Sequence, residues 1–306
     1  DIFVQLKNNP RQSLPVVEGV AKESPVQPFR PPENSSKTLS ATYQRPYHMH
    51  GSIGPSAAIA LYDAQVLKVW THSQGIFPLR LALADVLGLA EDKIHLVHVP
   101  GAGCYGHNGA DDVALDAALA ARAVPGRPIM LKWERADEHA WEPFGSAMQI
   151  ELQASLDDTG RVIYWNHETF SDTHMSRPSA HRENSRLLAA WHLQSPRPAP
   201  PVKPTPGFHT GIHRNADPIY DFADRRVVKH LVHDLPLRVS ALRSLGAYAN
   251  VFAIESFMDE LAHFRDMDPL EFRLAHLSDN RARAVLEAAT SKANSGFSSA
   301  DDGHGR

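Results

Sequence analysis

Proline is concentrated in two stretches of this chain, and those stretches limit where regular structure can form. Many of the 23 prolines lie between residues 10 and 32 or between residues 196 and 218. Because proline lacks an amide hydrogen and has a fixed φ angle, such stretches favour extended loops and exclude central strands. We therefore expect residues 1–40 to form an extended linker arm that leans on neighbouring protein, and residues 176–222 to be irregular.

Between these stretches the hydrophobic residues follow two kinds of pattern. Short apolar or alternating runs predict strands at 58–62, 66–70, 94–99, 128–133, 147–156, 162–170 and 227–233. Helical spacing predicts helices over 78–88, 110–124 and 254–264, and another that begins at Asp268-Pro269. Strands interleaved with helices in this way predict an α+β fold of mixed sheets, packed helices and long Pro-rich loops.

Composition excludes several classes of protein. The 306 residues are 42% hydrophobic and 22% charged, which suits one large domain or two ordinary ones. A formal net charge of −4 without a basic stripe argues against a nucleic-acid partner. Cys104, as the one cysteine, can form neither an internal disulfide nor an iron–sulfur site.

Two further expectations concern targeting. No apolar run approaches the ~20 residues of a membrane span. The opening Asp1-Ile2-Phe3 lacks the features of a signal peptide, so we expect none at this end. These patterns do not decide the location, which stays open between the cytoplasm and the periplasm.

Three segments at junctions between strands and helices carry residues suited to chemistry. Gln74 follows a predicted strand and can donate a side-chain amide hydrogen bond into a cleft, although its segment also fits a helix cap. The Gly-rich run 100–109 can bring backbone N–H groups close to an anionic ligand, or it is only a tight turn. Arg243 precedes a predicted helix and is either an anion donor or a surface residue.

Together these segments resemble the bacterial molybdenum hydroxylases, the family of xanthine dehydrogenase and aldehyde oxidoreductase. The likeness is to their molybdopterin-binding large subunit, and it is strongest to the nicotinate dehydrogenase and isoquinoline 1-oxidoreductase branch. Segments 41–55, 109–112 and 268–277 add to the resemblance, which spans about residues 40–290. It implies that residues 41–290 form the first molybdopterin-binding domain and that residues 291–306 lead toward a second, missing cofactor domain.

The resemblance also implies a site. Gln74 and Arg243 match catalytic positions of the family, and both match positions that contact the cofactor. Further cofactor-binding positions are matched by the glycine-rich loop, namely Gly101, Ala102, Gly103, Cys104, Tyr105 and Gly106. The chain departs from the family where Cys104-Tyr105 replaces Phe-Gly and where Ser244 replaces a glycine. In this family the protein gives the metal no direct ligand, and the general base is a glutamate for which this chain offers no candidate.

The implied activity is a molybdenum-dependent oxidoreductase that adds water-derived oxygen to an electron-poor carbon of an N-heteroaromatic or aldehyde. The implied cofactor is molybdopterin as its cytosine dinucleotide. Implied partners are a second molybdopterin-binding domain or subunit, an iron–sulfur subunit with 2Fe-2S clusters, a cytochrome c and a small-molecule substrate. The chain alone is expected to be inactive.

Two alternatives remain open. His48 with His50, and His95 with His98, suggest a zinc enzyme, although no third ligand completes a recognisable spacing. The missing base suggests instead a non-catalytic structural or assembly half, which needs a second polypeptide for cofactor binding. Metal analysis distinguishes the first alternative, and activity with and without a partner chain distinguishes the second.

Overall fold

The computed structural model describes residues 1–294. Its strands are β1 (Arg11–Val17), β2 (Val20–Ala21), β3 (Lys37–Arg45), β4 (Ala57–Asp63), β5 (Val66–Thr71), β6 (Ile94–His98), β7 (Ile129–Lys132), β8 (Phe144–Gly145), β9 (Met148–Leu156), β10 (Val162–Ser171), β11 (Asp224–Val232) and β12 (Val239–Ser240). Its helices are α1 (Ile2–Asn8), α2 (Ile76–Leu87), α3 (Ala110–Ala123), α4 (Arg135–Trp141), α5 (Ala247–Phe264), α6 (Pro269–Ala275) and α7 (Asn280–Asn294). These elements confirm the α+β prediction.

A four-stranded sheet with the order β6-β5-β4-β7 forms one half of the fold. The predicted hairpin joins β4 to β5, and its turn residues Ala64 and Gln65 both have positive φ. Helix α2 connects β5 to β6, which run parallel, and ends at Gly88 in the left-handed conformation. Leu83 of α2 and Ala117 of α3 share one buried cluster with the sheet. The core of this half therefore lies between the sheet and these helices.

A six-stranded sheet with the order β2-β1-β11-β10-β9-β3 forms the other half. β10 and β11 run parallel, and the remaining neighbours are antiparallel. Helix α5 packs against this sheet through Ile254, Phe257 and Leu261. Trp165 of β10 stacks on Phe222 with 4.8 Å between ring centroids, at the centre of this second core. The irregular segment 176–222 contains only two short 3-10 helices, Leu188–His192 and Gly211–His213.

The prediction that residues 1–40 form an extended arm is wrong for their first half. α1 buries Leu6 completely, and β1 pairs with β11 from Arg11 to Val16. Pro15 is tolerated inside β1 because its missing amide hydrogen removes no hydrogen bond to β11. Its carbonyl accepts from Lys22 on the side away from β11, and the nitrogen of a strand residue faces the same side as its carbonyl.

The outcome differs between the second half of residues 1–40 and the predicted linker 291–306. Residues 25–34 contain four prolines and no helix or strand, and β3 begins only at Lys37. At the other end, residues 291–294 complete α7, and the rest of the predicted linker 291–306 lies outside the described residues. Within residues 1–294, no helix has both the length and the apolarity needed to cross a membrane.

Candidate functional site

The two halves of the fold meet at a cavity of about 560 Å³. Gln74 reaches it from the connection between β5 and α2, and Tyr105 and Gly106 reach it from the connection between β6 and α3. Arg243 reaches it from the six-stranded half, between β12 and α5. The structure therefore brings the three predicted segments to one wall, although they lie far apart in sequence.

Backbone hydrogen bonds across the junction hold these segments together. The amide of Arg243 donates to the carbonyl of Tyr105 at 2.8 Å, and the amide of His107 donates to the carbonyl of Ala241 at 2.7 Å. Gly106 has a φ of 127°, and a Cβ at this position would overlap the carbonyl oxygen of Ala241. Only glycine fits here, because both the backbone angle and the close approach exclude a side chain.

The glycine-rich loop does not face one cavity along its whole length. Gly101 and Ala102 line a second, largely apolar cavity of about 410 Å³ on the surface of the four-stranded sheet. Gly103 lies beneath the ring of Tyr105, where an added Cβ would clash with that ring. The cavity at which the two halves meet is called the shared cavity below. It is lined by four of the predicted cofactor-binding residues, namely Gln74, Tyr105, Gly106 and Arg243.

Cys104 belongs to this loop, and its side chain is buried. Its thiol donates to the side-chain oxygen of Asn108 at 3.0 Å and lies 3.2 Å from the carbonyl of Gly106. Burial raises the pKa of the Cys104 thiol. The residue therefore supports the loop from behind as a neutral thiol.

The sequence reasoning did not identify Arg177, which also lines the shared cavity. Its Nη2 donates to the carbonyl of Gly106 at 2.7 Å and to Oε1 of Gln74 at 3.2 Å. No pattern indicates this residue, because it lies in the irregular segment after β10. The Arg243 guanidinium is exposed, and within the described residues it has neither a hydrogen bond nor an ion pair.

Buried polar groups support the wall from the inside. The hydroxyl of Ser73 donates to Oδ1 of Asp111 at 2.7 Å, and Nδ1 of His107 lies 2.8 Å from the hydroxyl of Ser240. Burial raises the pKa of Asp111 to about 6. Burial, assisted by the cationic Arg238, lowers the pKa of His107 well below its usual value. The imidazole is therefore neutral, and it ties the glycine-rich loop to β12.

The zinc alternative finds no ligand set in the part of the chain that the structure describes, since residues 1–294 contain no group of three or more His, Cys, Asp or Glu placed to hold a metal ion. His48 accepts from Arg45, and Nε2 of His50 contacts the carbonyl of Ala241 at 3.0 Å. The side chains at the shared cavity are instead hydrogen-bond donors and apolar groups. A cavity with two arginines and a glutamine amide among its lining residues fits an anionic or oxygen-rich ligand.

Comparison with known sequences agrees with this geometry. The chain matches the molybdopterin cofactor-binding domain model over residues 30–194 and 200–277. A nicotinate dehydrogenase chain from Pseudomonas putida is 36% identical over 295 residues, which is 96% of this chain and 23% of that protein. The beta chain of isoquinoline 1-oxidoreductase from Brevundimonas diminuta is 27% identical over 267 residues, covering 86% of this chain and 31% of that protein.

Solved structures show the same fold at lower sequence identity. Aldehyde oxidoreductase from Desulfovibrio gigas matches with a TM-score of 0.65 and 19% identity, covering 93% of this chain and 29% of that one. Quinoline 2-oxidoreductase from Pseudomonas putida 86 matches with a TM-score of 0.65 and 15% identity, covering 85% of this chain and 33% of that one. The chain spans only about a quarter to a third of the length of these relatives. The predicted resemblance is confirmed, and the chain belongs to the molybdopterin cofactor-binding domain family.

Proposed function

We propose that this chain forms part of the catalytic subunit of a molybdenum-dependent hydroxylase and that its shared cavity holds the pterin-bound metal centre. The observation that carries the proposal is that Gln74, Gly106 and Arg243 line one cavity, whose volume is about 560 Å³. These segments lie in separate connections of the fold, so their meeting is not a consequence of sequence proximity.

The donor set fits an oxygen-rich centre. The side-chain amide of Gln74 can donate through its two N–H groups, and the Arg243 guanidinium can donate several hydrogen bonds. When bound, the molybdopterin group supplies the two-electron redox chemistry of hydroxylation. The task of the chain is to orient this group and to stabilise negative charge beside it, which preorganised donors do in a confined site.

A proton acceptor must come from elsewhere. Among the described residues that line the shared cavity there is no aspartate, glutamate or histidine. Our proposal therefore places the general base, a glutamate, on a second molybdopterin-binding domain or subunit that closes the opposite wall. An iron–sulfur subunit with 2Fe-2S clusters, and beyond it a cytochrome c, would carry the electrons away. We further propose that the pterin is the cytosine dinucleotide form.

The proposed substrate class follows from the names of the relatives. They include a nicotinate dehydrogenase, an isoquinoline 1-oxidoreductase and an aldehyde oxidoreductase of Escherichia coli. Each of these names refers to a compound with an electron-poor carbon next to nitrogen or oxygen. We propose that the present protein hydroxylates such a carbon in an N-heteroaromatic or an aldehyde, with oxygen derived from water.

Metal and pterin analysis tests the proposal. The protein is expressed from its natural gene together with its partners, and molybdenum and zinc are measured by inductively coupled plasma mass spectrometry. Pterin is measured by fluorescence after oxidation. We expect molybdenum and pterin in about equal amounts and zinc at background level. Stoichiometric zinc, or protein that is active without molybdenum, would contradict the proposal.

A further inference from the structure

The Arg177 guanidinium lies between two of the segments that form the cavity wall. Through Nη2 it donates to Oε1 of Gln74 at 3.2 Å and to the carbonyl of Gly106 at 2.7 Å. Both acceptors belong to the four-stranded half, whereas Arg177 follows β10 of the six-stranded sheet. One side chain therefore connects the two halves at the cavity.

This contact determines which end of the Gln74 amide faces Arg177. A guanidinium carries only donors, so the amide atom that faces it must be the oxygen. The amide nitrogen then points away from Arg177, and within the described residues Nε2 of Gln74 donates to no protein group. The opposite amide orientation would set two donor groups against each other.

Within the described residues, the hydrogen bonds of the Arg177 side chain go only to Gln74 and Gly106. It forms no ion pair with a carboxylate among residues 1–294, and its other nitrogens have no hydrogen-bond partner there. Its direct contacts are therefore Gln74 and Gly106, while its charge also acts at longer range on the buried Asp111 and His107. A surface arginine would instead be free to move in solvent, whereas two acceptors fix this one.

We propose that Arg177 is a positioning residue that locks the Gln74 amide with its N–H groups toward the cofactor. The inference rests on the proposed function, since it concerns the orientation of a donor to the bound group. Arg177 acts on this cofactor contact through Gln74, so its effect on the orientation of the amide exists only while Gln74 is present.

Four variants test this in the enzyme purified with its natural partners: R177M, R177Q, Q74A and the double variant Q74A/R177M. The matched control is R182M, an exposed arginine on the same irregular segment. The readouts are molybdenum content, the electron paramagnetic resonance spectrum of the reduced enzyme, and kcat. Loss of a group that orients a cofactor contact typically lowers activity about 10-fold to 100-fold, and we expect this for R177M.

Non-additivity is the decisive result. We expect R177M to shift the resonance spectrum in the same sense as Q74A, and to change neither spectrum nor kcat further in the Q74A background. R177Q should fall between the wild type and R177M, because its amide can still donate one hydrogen bond. R182M should match the wild type.

Several results would overturn the inference. One is an effect of R177M that persists undiminished in Q74A, and another is a loss of molybdenum from R177M with an unchanged spectrum. Poor folding of both Arg177 variants, with R182M intact, would assign the residue to stability and reject the positioning role. A wild-type enzyme without molybdenum would instead reject the proposed function, so the two failures are distinguishable.

Discussion

Among the residues that line the shared cavity, Tyr105, Ser244 and Leu245 occupy backbone conformations that glycine adopts more easily. Tyr105 has a φ of 53° and Ser244 a φ of 77°. At Tyr105 and Ser244 the chain has another residue where, according to the resemblance described above, the family has glycine. The backbone thus keeps a left-handed turn at each position, although this conformation costs a residue with a Cβ roughly 1–2 kcal/mol.

Replacement of Ser244 by glycine should relieve this strain. We expect S244G to raise the free energy of unfolding by about 1 kcal/mol, since the strain removed exceeds the extra freedom of the unfolded chain. Urea denaturation followed by fluorescence measures the change. S40G is the control. Ser40 lies in β3 with ordinary strand geometry, so glycine at this position should lower the stability of the protein. An S244G protein no more stable than the wild type would contradict the expectation.

The sequence identified some site residues and missed another for a physical reason. Gln74 and Arg243 lie at the junctions between predicted elements, where free backbone and side-chain donors collect. Arg177 lies in a segment without periodicity, and its role depends on contacts with residues 74 and 106. Such contacts cross the junction of two sheets, so no local pattern encodes them. The sequence also could not predict that Gly101 and Ala102 line a second cavity, because their placement depends on how the loop bends.

At the scale of elements, hydrophobic periodicity located most of the helices and most of the strands that form the two sheets. It failed for α1 and β1, where prolines at 10 and 15 led to the prediction of an irregular arm. The nitrogen of Pro15 faces away from β11, so this proline removes no hydrogen bond from that pairing. That orientation depends on the pairing of β1 with β11, which no local pattern in residues 1–17 records.

The packing of α1 provides a test of this correction. Leu6 is 0% exposed in a cluster with Phe170 and Val232, so L6A should cost roughly 2–5 kcal/mol through lost burial and the cavity left behind. V4A on the same helix should cost less than about 0.5 kcal/mol, because Val4 is 55% exposed. Chemical denaturation compares the two variants. Equal effects would mean that α1 is only loosely attached.

At the scale of the whole molecule, the site exists only where the two halves meet. Asp112 of α3 is 1% exposed and forms an ion pair with Arg238, which precedes β12. The amide of Leu188 donates to the same carboxylate at 2.9 Å. The Asp112 carboxylate therefore joins the four-stranded half to the segment that leads into Arg243.

Loss of this buried charge should weaken the junction. We expect D112N to cost roughly 3 kcal/mol of unfolding free energy, because the Arg238 guanidinium is left without its counter-charge. The control is E91Q, which breaks the pair between Arg80 and Glu91, whose side chains are 40% and 56% exposed. Exposed pairs contribute less than about 1 kcal/mol. Thermal and urea unfolding measure both, and similar losses would contradict a special role for Asp112.

The shielding of Cys104 has a practical consequence. The thiol is buried, donates to Asn108, and is kept protonated by its surroundings, so thiol-directed reagents meet no accessible nucleophile there. As the sequence holds no other cysteine, a cysteine introduced on an exposed surface could carry a spectroscopic label without a background signal. Labels on the two sheets would then report their separation directly while the native loop remains untouched.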